Sequence, residues 1–77
     1  MVKVLLFAEL QDRIGHNELE IPIGETNVQQ LKQKLEQEYP ALSLEKVMTA
    51  INEEYANDSD AIAAGDTVAF IPPVSGG

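Results

Sequence analysis

The residues with the clearest chemical promise are the last six, Pro72-Pro73-Val74-Ser75-Gly76-Gly77. They follow an apolar run, Thr67-Val68-Ala69-Phe70-Ile71. Proline has no N–H donor and cannot continue a sheet ladder, so a strand ending at Ile71 is expected. A Pro-Pro pair favours an extended exit from a domain. At about 3.3 Å per residue such an arm reaches roughly 20 Å. Its tip offers no side chains, only backbone and the α-carboxylate of Gly77. An arm of this kind suits delivery of a carboxylate into a narrow site on another protein. The expected division is a folded domain over residues 1–71 and a flexible tail over 72–77, with little apolar payload to hold it down.

The other polar residues offer no comparable constellation. His16 is the single histidine and lies in a turn pattern, Gly15-His16-Asn17, without the convergent partners that metal or acid–base sites need. Glu53 and Glu54 are adjacent, so their side chains point apart in extended chain. Asp58 and Asp60 lack the remaining ligands and the glycine of a calcium loop. There is no cysteine, which excludes disulfides, thiolate metal sites, iron–sulfur clusters and cysteine nucleophiles. No catalytic residue and no bound metal or cofactor is expected.

The tail must project from a small scaffold. Val2–Phe7 reads as a strand with Val2, Val4 and Leu6 on one face and Lys3, Leu5 and Phe7 on the other. Residues 8–14 read as a helical turn or irregular connection. His16–Ile23 alternates, and Pro22 marks it as an edge strand; the turn residues before it suggest a hairpin with the first strand. Thr26 and Gln29 have the spacing of a capping box. Val28, Leu31, Leu35 and Tyr39 then form one apolar helical stripe, which Pro40 ends. Lys32 falls among the residues expected to face solvent. Residues 41–46 suggest a short turn of helix capped by Ser43. Val47–Ile51 reads as a strand, Asn52-Glu53-Glu54 as a reversal, and Tyr55 as the start of a short strand. Asp60 and Gly65 bracket Ala61–Ala64 as a capped helical turn. The two most apolar strands, first and last, belong together at the centre. The expected fold is α+β, a mixed sheet of four to five strands with one long helix on one face.

Seventy-seven residues make one domain with a modest core and little room for an internal active site. The net charge of −8, from five basic against thirteen acidic residues, argues against nucleic acid and anionic membrane surfaces. No apolar stretch is long enough to span a bilayer, and no leader pattern opens the chain, so a cytoplasmic protein is expected.

Three stretches resemble a known family. They are Val4-Leu5-Leu6-Phe7-Ala8-Glu9-Leu10, Ala50-Ile51-Asn52-Glu53-Glu54-Tyr55, and the final thirteen residues from Gly65 to Gly77. Together they resemble the small, sulfur-carrier subunit of molybdopterin synthase, a ubiquitin-like β-grasp family. The terminal stretch is the specific part. The resemblance implies that an ATP-dependent, E1-like enzyme adenylates the carboxylate of Gly77. A sulfur donor protein then converts it to a thiocarboxylate. It also implies that Pro73, Val74, Ser75, Gly76 and Gly77 insert into the large catalytic subunit, where the sulfur passes to a cyclic pyranopterin precursor. This chain would supply no catalytic side chain, and the assembly would be a heterotetramer.

Alternation puts Phe7 and Ile71 opposite the helix-covered face. The resemblance adds Tyr55 to them as contacts for the large subunit. Otherwise the three close a small second core under the loops. A sulfur carrier for thiamine synthesis, a ubiquitin-like modifier and an interaction domain with an inert tail remain alternatives.

Overall fold

The computed structural model describes residues 1–73. Its elements run β1 (Val2–Leu6), α1 (Glu9–Ile14), β2 (Glu18–Ile21), β3 (Thr26–Asn27), α2 (Val28–Glu38), β4 (Met48–Ile51), β5 (Glu54–Ala56), β6 (Ala61–Ile62) and β7 (Thr67–Ile71). Five strands form one sheet in the order β2-β1-β7-β4-β5, and β3 pairs with β6 apart from it. β1 and β7 run parallel at the centre, while β2, β4 and β5 pair antiparallel outward. This mixed sheet, gripped on one face by α2, is the β-grasp layout.

Packing decides which face is covered. Val2, Val4 and Leu6 of β1 and Val68 and Phe70 of β7 are fully buried. They meet Val28, Leu31 and Leu35 of α2 in one cluster, which Leu10, Ile21, Leu42, Leu44 and Ile62 complete. Phe70 is the largest of the fully buried side chains and sits on a central strand, so the interior is organised around it.

Several local expectations gave way to long-range pairing. Residues 8–14 contain a true helix, α1, closed by Gly15 at φ 82°. It stands between β1 and β2, so these strands pair antiparallel without a tight hairpin. β2 lies at the sheet edge, as Pro22 requires. Thr26 is not the cap of α2, because it pairs with Ile62 in the small second sheet. Asn27 caps instead, its side chain accepting from the Gln30 N–H at 2.8 Å. The carbonyls of Asp60 and Asp58 accept the N–H groups of Val28 and Gln29. Three of the four orphan donors at the helix start are thus satisfied.

Lys32 is buried rather than solvated, with Nζ 2.9 Å from Asp58 Oδ1. Its stem follows the apolar stripe and only its tip reaches the β5–β6 loop. Residues 41–46 form turns with no helix. Leu42 and Leu44 drop into the core there, and Glu36 Oε2 accepts from the Leu44 N–H at 2.8 Å. Ala61–Ile62 is a strand, not a helical turn, because β3 offers it a ladder and the core takes Ile62.

Candidate functional site

The face of the sheet away from α2 carries the candidate site. Period-two alternation leaves Leu5, Ala69, Ala50 and Tyr55 there, and register aligns them. Leu5 lies opposite Ala69, Ala69 opposite Ala50, and Ala50 opposite Tyr55. The two alanines occupy the middle strands, and larger side chains stand to either side. The result is a groove of about 660 Å³ lined chiefly by Leu5, Phe7, Ala50, Tyr55, Ala69 and Ile71. Asn52, Glu53 and Thr67 close one end.

Phe7, Tyr55 and Ile71 all line this groove. Phe7 is 44% exposed and Tyr55 76% exposed, and neither belongs to the core cluster. Ile71 is half-buried. Met48, 44% exposed, sits opposite Ile71 and extends the apolar face; sequence reasoning missed it. It also missed Leu5, Ala50 and Ala69, whose contribution depends on strand register. Apolar side chains left this open on one face mark an interaction surface more often than a simple surface.

The groove adjoins the root of the tail. Ile71 lines it, Pro72 follows half-buried, and Pro73 is exposed. Pro72 and Pro73 border a smaller hollow with Arg13 and Lys46, between α1 and the 43–47 segment. Val74, Ser75, Gly76 and Gly77, on which the proposed chemistry falls, lie outside the described residues.

One end of the groove is held by a hydrogen-bond network. Asn52 Oδ1 accepts from the Thr67 N–H at 3.0 Å, and Asn52 Nδ2 donates to Asp66 Oδ1 at 3.0 Å. Asp66 Oδ2 accepts from the Ala63 N–H at 2.8 Å. The Ala63 N–H, and after it the Asn52 amide, hold the Asp66 carboxyl below the ordinary carboxylate range. A carboxyl so depressed in the fold stabilises it above the unfolded-state value, and that contribution is lost as pH falls through the folded value. The stability difference between the unaltered chain and Asp66→Ala is therefore expected to shrink on acidification below the carboxylate range. Denaturant titrations at neutral and acid pH check this.

His16 stands in the exposed approach to β2. Among the described residues no group of three or more His, Asp or Glu side chains could hold a metal ion. No helix among them is long and apolar enough to cross a membrane.

A parallel central strand pair, a single gripping helix and an open apolar face at the chain's exit define a ubiquitin-like β-grasp protein. The chain belongs to the ThiS family, whose model matches residues 4–77. It is 41% identical to the molybdopterin synthase sulfur carrier subunit of Dictyostelium discoideum, over 97% of this chain and 94% of that one. Small archaeal modifier protein 1 of H. volcanii superposes with a TM-score of 0.82 at 26% identity, covering 95% and 97% of the two chains. A protein–protein complex of subunits 1 and 2 of molybdopterin-converting factor from Helicobacter pylori contains a chain that matches with a TM-score of 0.69. That chain is 26% identical, with 99% and 97% covered.

Proposed function

We propose that this chain is the sulfur carrier of molybdenum cofactor biosynthesis and the non-catalytic small subunit of molybdopterin synthase. The Gly77 carboxylate is a poor electrophile, so an E1-like enzyme first joins it to AMP at the expense of ATP. A sulfur donor protein displaces AMP and leaves a thiocarboxylate. Residues 73–77 then enter the large subunit, and the sulfur passes to the pyranopterin precursor. Two such transfers build the dithiolene that binds the metal. Glycine suits the tip because it adds no side chain to a narrow channel.

The observation that carries this reading is the continuity of the groove with the chain's exit. Phe7, Tyr55 and Ile71 form an apolar surface that ends where Pro72 and Pro73 begin. A partner docked there receives the tail directly. The likeness to a chain of the Helicobacter pylori complex of subunits 1 and 2 supports the same partner. The likeness to an archaeal modifier protein favours a second reading, in which activated Gly77 forms isopeptide bonds with lysines.

Intact-mass spectrometry of the chain isolated from cells separates the two. The carrier reading expects one oxygen replaced by sulfur at Gly77, with the sulfur lost on adding the large subunit and pterin precursor. Conjugates to lysines without any thiocarboxylate would favour the modifier. Loading without transfer to the pterin would point to a different sulfur acceptor, as in thiamine synthesis.

A further inference from the structure

Backbone strain among the described residues collects around the groove. Three non-glycine residues have positive φ: Ala8 at 52°, Asn52 at 49° and Glu53 at 71°. Ala8 follows Phe7, and Asn52 and Glu53 line the groove. Such strain, where it persists, often marks a functional position.

Asn52 and Glu53 are the two central residues of the β4–β5 hairpin, since Ile51 pairs with Glu54. Both centres of this tight turn need left-handed backbone, which favours Asn followed by Gly. Asn52 fits that need and is repaid locally. Its amide makes two hydrogen bonds, and its N–H donates to the Thr67 carbonyl at 2.8 Å. Glu53 is not repaid. Among the described residues its side chain makes no hydrogen bond and no ion pair. It holds the second position, where glycine would sit without strain.

What glutamate adds there is a carboxylate at the rim. Glu53 is the one charged residue among those lining the groove, and none of the five basic residues does so. We propose that Glu53 is a specificity-determining residue of the docking face, where its carboxylate meets a cationic side chain on the large subunit. This rests on the reading that the groove receives that subunit. Rim charges chiefly set encounter rate and partner choice. A partner with an apolar patch bordered by Lys or Arg is selected, and one bordered by carboxylates is repelled.

Two variants separate charge from strain. Glu53→Gln keeps the backbone preference and removes the charge. Its unfolding should match the unaltered chain, while association with the large subunit slows about three- to tenfold at low salt and loses part of its salt dependence. Glu53→Gly removes both. It should slow association similarly while raising the folded-to-unfolded ratio roughly two- to tenfold. Stopped-flow binding across a salt series and denaturant unfolding read these out. A Glu53→Gln variant with unchanged association rate and salt slope would overturn the proposal. So would a Glu53→Gly variant that gains no stability. Failure of the unaltered chain to bind the large subunit at all would instead overturn the functional reading beneath it.

Discussion

Removing Gly77, or adding one residue after it, is expected to abolish thiocarboxylate formation and leave unfolding unchanged. The two halves of this expectation have separate physical sources. On the proposed carrier function, activation would need a carboxylate at the end of a chain thin enough to enter the adenylating site. Deletion would present Gly76 one residue short, a displacement of about 3.3 Å along an extended arm. Misplacement of that size removes a reacting carbon from its nucleophile, which must lie within about 3–3.5 Å. An added residue would bury the glycine carbonyl in a peptide bond and move the carboxylate beyond the reacting position.

Stability is expected to show no such dependence. The core cluster runs from Val2 to Phe70, and the sheet ends at Ile71. Substitutions away from such packing usually stay within about 0.5 kcal/mol. Intact mass after incubation with the activating enzyme, ATP and sulfur donor reads the loading. Thermal melting of the same samples reads the fold. Normal loading of the shortened chain would remove Gly77 from the chemistry. A large loss of melting temperature would mean that the terminus is part of the folded domain.

The site was legible in part because its elements are local. Pro72-Pro73 ends a strand by its own covalent structure. Phe7 and Ile71 follow from alternation once Leu6 and Phe70 are taken as core. Tyr55 came only from family resemblance, since a three-residue strand has too little pattern to show its face. The alanine floor was hidden because Ala50 and Ala69 are unremarkable singly. They matter as Cα partners between Leu5 and Tyr55.

The same limit explains the misread elements. Thr26-x-x-Gln29 is a sound local cap, but pairing with Ile62 claimed Thr26 for a strand. Asp60-Ala61-Ile62 resembles a helix start until β3 supplies its ladder. Lys32 was assigned to solvent by type, and its burial depends on Asp58 arriving from the loop after β5. Each error arose where a contact distant in sequence outweighed a propensity worth about 1 kcal/mol or less.

Phe7→Ala is expected to weaken binding to the large subunit by about 2 kcal/mol or more, roughly a thirtyfold loss of affinity. Phe7 continues β1 past Leu6, and its neighbour Leu6 is buried while Phe7 is 44% exposed. In the isolated domain Phe7 therefore keeps a large part of its contact with water. On docking it would lose that contact, with Tyr55 and Ile71 also lining the groove. A large aromatic side chain desolvated only in the complex contributes its transfer free energy to binding rather than to folding. The alternative is a small second core closed by Phe7, Tyr55 and Ile71. That alternative requires truncation to cost the isolated domain about 3–5 kcal/mol, the usual range for a buried phenylalanine. The exposure of Phe7 and its place outside the core cluster argue for a loss of about 1 kcal/mol or less. Tyr55→Ala serves as a second probe on the opposite wall. It should weaken binding with little change in unfolding, since Tyr55 is 76% exposed. Denaturant unfolding and calorimetric titration with the large subunit measure both quantities on the same variants. A folded Phe7→Ala variant that binds with unaltered affinity would take Phe7 out of the interface. A loss of several kcal/mol in unfolding would return it to the core.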